Sequence, residues 1–111
     1  MKHLPFDHDV FDFSFCVWSS YNFMLSEADQ VRALNEMSRT LKSGGKALIE
    51  CRLHERPEPI QQVDCGDVSY DYFPVTIEEM ETVGRKSSFS SCETFVKEIA
   101  GRDRMLCVLR K

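Results

Sequence analysis

The stretch Leu41–Glu50, LKSGGKALIE, decides how this chain is read. A leucine and a lysine run into Gly44 and Gly45, and an apolar run follows at once. Glycine enters the left-handed conformation that closes a helix without the steric cost a β-carbon brings. The pair therefore predicts the end of a helix. Ala47 to Cys51, within KALIECRL, predicts a short buried strand directly after it. A helix-to-strand joint this tight belongs to α/β domains, where each helix returns the chain to a sheet.

Working outward, Ser26 opens that helix with Asp29 at the third helical position. Val31, Leu34, Met37 and Leu41 fall three and four apart and form one buried stripe, while Glu36 and Arg39 lie off it and are expected in solvent. Upstream, Phe11 to Trp18 (FDFSFCVW) reads as a strand apolar on both faces, too apolar for an exposed edge. Residues 54–74 hold three of the four prolines and read as a long irregular loop. Thr76 and Glu79 then frame a second helix as a capping box. SCETFVKEI, the turn AGRD and RMLCVL predict an antiparallel hairpin. Residues 105–109 are nearly continuous in apolar character and demand two neighbours, so they are expected between KALIECRL and SCETFVKEI, antiparallel to both. The expected fold is α/β with about four strands, in a single unit over residues 1–111.

At 111 residues, 42% hydrophobic and 29% charged, the composition is that of a globular domain. A net charge of -4 with no basic cluster argues against a nucleic-acid partner. No apolar run approaches the roughly 20 residues that span a bilayer, so no membrane role is expected and the cytoplasm is the expected location. Five cysteines, an odd number without a C-x-x-C pair, argue against a disulfide framework, and the four that fall in expected strands read as small buried hydrophobes. Asp7–Asp9 and the Cys51/His54 pair offer ligand-type residues without a complete set, so no metal is expected. His54, at the carboxyl end of its strand, is a candidate base. Tyr70 and Tyr72 alternate like an exposed strand or a lid over a pocket, or else pack a lid on the helix at Thr76.

Two motifs carry a family likeness. Leu4, Pro5, Phe6, Phe11 and Asp12 lie in one, and Glu36, Arg39, Leu41, Lys42, Gly44 and Gly45 in the other, with Ser43 where proline is usual. Together they resemble class I S-adenosylmethionine-dependent methyltransferases of the small-molecule branch, and the likeness covers the C-terminal half of that Rossmann-like sheet. It implies S-adenosyl-L-methionine as cofactor and a small-molecule acceptor. Trp18 and Ser19 are then expected beside the cofactor, and Tyr21, Asn22, His54, Tyr70 and Tyr72 on the acceptor side. The family's Gly-rich turn and ribose-binding acid have no counterpart, as no G-x-G occurs in the sequence. The isolated chain is therefore expected to be inactive and to need a cofactor-binding half from elsewhere; the alternative is a non-catalytic interaction or dimerisation module. In either case the Phe11–Trp18 strand edge is expected to be covered, by a second copy about a two-fold axis or by the missing half.

Overall fold

The computed structural model describes residues 3–111. A first strand, β1 (Phe11–Cys16), leads through a single 3-10 turn (Ser20–Phe23) into α1 (Glu27–Thr40) and β2 (Leu41–Arg52). Two short strands follow, β3 (Gln61–Cys65) and β4 (Val68–Tyr72), then α2 (Ile77–Lys86), β5 (Ser91–Ile99) and β6 (Arg102–Arg110). The main sheet has the order β1-β2-β6-β5. β1 is parallel to β2, and β6 is antiparallel to both its neighbours, as the apolar run at 105–109 demands.

Both helix starts follow from local chemistry. The Ser26 side chain accepts from the Asp29 N–H at 3.1 Å, and Thr76 and Glu79 form a reciprocal capping box. Leu34, Met37 and Leu41 are buried as expected. Both helices cover one face of the sheet, burying Ala47, Ile49 and Cys51 of β2 with Met105, Cys107 and Leu109 of β6. By strand alternation Phe13, Phe15, Leu48, Phe95, Leu106 and Val108 point to the opposite face. No described element covers that face.

The strand expected over Phe11–Trp18 ends at Cys16, because Trp18 and Ser19 turn the chain at positive φ, and three further expectations are corrected. The glycine pair does not end α1, whose last turn passes straight into β2 at Leu41. Gly44 (φ +82°) and Gly45 lie inside β2 at a bulge, where Phe11 pairs with Leu41 but Phe13 pairs with Lys46. A Cβ on Gly45 would come within 2.8 Å of the Lys42 carbonyl and 3.2 Å of that of Asp12, so the bulge needs glycine there. The 54–74 stretch is not wholly irregular either, because β3 and β4 form an antiparallel hairpin. Its two-residue turn has Gly66 at φ +71° in the first central position, the pattern of a type II′ turn.

Glu36 and Arg39 are the last correction: they clamp the N-terminal segment instead of facing solvent. The Arg39 guanidinium pairs with Glu36 and donates to the carbonyls of Phe6 (2.8 Å) and Leu4 (2.9 Å), while Glu36 accepts from the Leu4 N–H at 2.8 Å. The two sequence motifs thus touch one another. The Arg39 bond first, and the Leu4 N–H second, hold the Glu36 carboxyl down to about 2 from its ordinary 4.5. A depressed carboxylate stabilises the fold above its ordinary value and loses that contribution as pH falls toward 2. Glu36→Gln is expected to lower the protection of the Leu4 amide roughly tenfold at neutral pH. The wild type's protection, taken against the intrinsic rate at each pH, is expected to fall toward the variant's near pH 2. Unchanged exchange in the variant would mean that the segment is held by apolar packing alone.

Candidate functional site

The carboxyl end of the parallel pair β1/β2 gathers most of the chemistry. In open α/β sheets, ligands sit outside the carboxyl ends of parallel strands. The chain leaves β1 through Trp18 (φ +60°) and Ser19 (φ +61°), two consecutive non-glycine residues in the left-handed region. Such a conformation costs roughly 1–3 kcal/mol per residue and persists only where the surroundings impose it. Here the surroundings are an ion pair. Glu50, on β2, accepts from the Trp18 N–H at 2.7 Å and pairs with Arg104 of β6, which also donates to Ser19 Oγ at 2.6 Å. The Trp18 ring is held outside, 87% exposed. With Val17, Glu50, Arg104 and the β5–β6 turn, Trp18 and Ser19 line an open cavity of about 520 Å³. That turn places Ala100 and Gly101 both at positive φ, as a type I′ turn requires.

The second cluster lies where the hairpin meets the end of β2. His54 Nε2 lies 2.6 Å from the Tyr72 hydroxyl, and its Nδ1 lies 3.8 Å from Glu58. Burial pushes the Tyr72 hydroxyl up to about 12, so it stays protonated, and the imidazole tautomer sets which partner donates in this bond. Arg52 stacks over the Tyr72 ring at 5.7 Å. Tyr72 is 4% exposed, whereas Tyr70 stands at the surface edge-on to Phe23, 5.3 Å between ring centroids. The hairpin is therefore packed against the 3-10 turn, with Tyr72 turned inward and Tyr70 outward.

Tyr21 and Asn22 are fully buried. The Tyr21 hydroxyl meets Gln30 at 3.3 Å, and burial pushes its pKa far up. Asn22 Nδ2 donates to the Phe73 carbonyl at 2.9 Å, and its Oδ1 accepts from the Arg52 N–H at 3.2 Å. Their polar atoms are thus used internally, joining the turn, β2 and the hairpin. Glu50, Arg104, Arg52 and Glu58 escaped the sequence reading. An acid inside the apolar run ALIEC was the available signal for Glu50.

Residues 1–49 match the family model described as a methyltransferase domain. Over 97 residues the chain is 28% identical to an uncharacterised protein of Methanocaldococcus jannaschii, covering 87% of this chain and 40% of that one. Its fold is similar to a crystal structure of an S-adenosylmethionine-dependent methyltransferase from Methanosarcina mazei, with a TM-score of 0.77 and 12% identity, covering 99% of this chain and 63% of that one. It is also similar to the S-adenosylmethionine-bound amino pentose methyltransferase CalS10 of Micromonospora echinaspora, with a TM-score of 0.64 and 17% identity, covering 93% and 59%. The chain has the fold of the class I S-adenosylmethionine-dependent methyltransferases. It spans less than two thirds of the length of each of these methyltransferases and relatives.

The cavity beside Trp18 is open and has a single carboxylate in its lining. Both oxygens of Glu50, the one carboxylate lining it, are engaged by the Trp18 N–H and by Arg104. The Glu50 carboxylate is thus committed to Arg104 and the Trp18 N–H, and the lining holds no second carboxylate to accept from a ribose diol. The described residues do not by themselves fit S-adenosylmethionine. Among them, no group of three or more His, Cys, Asp or Glu side chains could hold a metal ion, and no helix is long and apolar enough to cross a membrane. Cys51, beside Glu50, is buried, and burial pushes its thiol up to about 12.

Proposed function

We propose that this chain is the acceptor-side portion of an S-adenosylmethionine-dependent methyltransferase acting on a small molecule, and that it works with a donor-binding portion packed on β1. The observation that carries this reading is the strained Trp18–Ser19 loop, held by Glu50 and Arg104 at the carboxyl end of a parallel strand pair. Backbone strain of this kind concentrates at functional sites. Methyl transfer is a displacement at carbon, so positioning of the acceptor contributes much of the rate. In the tautomer in which Nε2–H donates to the Tyr72 hydroxyl, His54 Nδ1 keeps its lone pair and is placed to take the proton of an acceptor N–H or O–H. Trp18 and Ser19 border the cofactor, and Tyr70 closes the acceptor side.

The partner portion follows from the bare side of the sheet. Strands of parallel sheets are covered on both faces, yet Phe13 is 53% and Phe15 64% exposed at the outer edge of β1. An apolar groove of about 570 Å³ runs along that edge, lined by Leu4, Phe6, Phe11, Phe13, Phe15 and Met37 among others. The greater length of the methyltransferase-fold relatives is consistent with further chain packed there. The same exposed edge favours a second reading, a non-catalytic module that binds a partner through it.

The test compares two preparations, each titrated with S-adenosylmethionine and assayed with radiolabelled donor. One is the recombinant chain alone, and the other is the chain purified natively with what accompanies it. Ligand that binds the native state raises stability by RT ln(1 + [L]/Kd). The expected outcome is a flat thermal response for the chain alone at millimolar ligand, and saturable binding with methyl transfer in the native preparation. Turnover by the chain alone would overturn the split reading. No binding in either preparation would leave the interaction module.

A further inference from the structure

Cys92 of β5 and Cys107 of β6 face each other across the antiparallel pair with their sulfurs 3.1 Å apart. Cys92 stands opposite Leu109, and Cys107 opposite Thr94, so the two are diagonal neighbours on the helix-covered face. A disulfide needs about 2.05 Å between sulfurs, so the thiols are within roughly 1 Å of bonding distance. The partners differ in access. Cys107 is fully buried, whereas Cys92 is half-buried and lines an open cavity of about 630 Å³ with Glu81, Arg85, Phe89 and Ser91. α2 sits directly on Cys92, where a Cβ added to Gly84 would come within 2.7 Å of its sulfur. Neither residue is used by the site described above.

We propose that Cys92 and Cys107 are a reversible dithiol site that low-molecular-weight disulfides of the glutathione class oxidise to an intramolecular bond. Cys92 attacks as thiolate, forms a mixed disulfide and expels one thiolate. Cys107 then loses its proton and attacks Cys92 Sγ, expelling the second. Two protein thiols and one small disulfide become one protein disulfide and two small thiols, so electrons and protons balance. The order follows from access and polarity. The sulfur–sulfur hydrogen bond draws the Cys92 pKa down, helped by Arg85 and opposed by burial and Glu81, while the same bond and burial push Cys107 up. Closure ties β5 to β6 beneath α2 and shortens the free part of the hairpin whose turn lines the Trp18 cavity. The proposal is independent of the methyltransferase reading.

The experiment uses the wild-type chain, folded, treated with oxidised glutathione, then denatured, alkylated and weighed by intact and peptide mass spectrometry. The expected product has lost two hydrogens, gives a linked Cys92–Cys107 peptide and returns to full alkylation with dithiothreitol. Cys16 and Cys51 are expected to stay free throughout, and Cys65, which is exposed, to carry only glutathione. Cys107→Ser is expected to trap glutathione on Cys92, and Cys92→Ser to leave Cys107 unreactive. Glutathione retained on Cys92 of the wild type, or both thiols still free once Cys65 has reacted, would overturn the proposal. The wild-type result stands by itself if either variant folds poorly.

Discussion

Asn22→Ala is expected to lower stability by about 2 kcal/mol, because an intramolecular hydrogen bond contributes about 0.5–1.5 kcal/mol net and two are lost. The substitution removes two part-buried hydrogen bonds, one to the Phe73 carbonyl and one from the Arg52 N–H. The Asn22 carbonyl still accepts from the Phe73 N–H at 2.8 Å, so the hairpin loosens without detaching. In a chain of this size the change corresponds to a fall in melting temperature of about 10 °C or more. Hydrogen exchange should rise through β3 and β4 before it rises in β6, since the lost bonds join the hairpin to the end of β2. The alternative, in which Asn22 orients an acceptor, makes a different forecast: normal melting and hairpin exchange, with only acceptor KM raised in the native preparation. Calorimetry and exchange on the folded variant separate the two.

Phe15→Lys is expected to leave the isolated chain nearly as stable as before, within about 0.5 kcal/mol, because the side chain is 64% exposed. Its effect on assembly should be large. Burying a phenylalanine contributes about 1.5–3 kcal/mol, and a lysine at the same place must lose its hydration as well. The donor-binding portion should therefore bind the variant at least roughly tenfold to a hundredfold more weakly. Sedimentation of the native preparation with and without the substitution measures this. Dimerisation of the chain alone at micromolar concentration, abolished by Phe15→Lys, would instead assign the β1 edge to a second copy. A chain that stays monomeric and a complex indifferent to the substitution would remove this edge from the interface.

What the sequence by itself determined was governed by contacts between near neighbours or by hydrophobic demand within one segment. Ser26 with Asp29, and Thr76 with Glu79, are three residues apart, so both helix starts were legible. The apolar run at 105–109 could be satisfied only between two strands, and β6 lies there. The motif likeness pointed to the methyltransferase fold for the same reason, since its residues follow the order of strand, helix and strand. Gly44 and Gly45 show the limit: a glycine pair permits a helix stop and a bulge equally, and the register of β1 on β2 decided for the bulge. Glu36 and Arg39 looked solvated because their partners, Leu4 and Phe6, are more than thirty residues away. The hairpin β3–β4 showed only the alternation of Tyr70 and Tyr72 and a turn signal at Gly66 with Asp67. Most of its positions are exposed, so no buried face marked it as a strand pair. At the site, Tyr21 and Asn22 were located correctly in the loop after β1, but only the packing of α1 and the hairpin around them made them interior residues. Glu50, Arg104 and Ser19 meet from three separate segments, up to 85 residues apart. A local pattern specifies torsions and caps, but it holds no information about which distant charge will face another across a sheet; that is decided when β6 inserts beside β2.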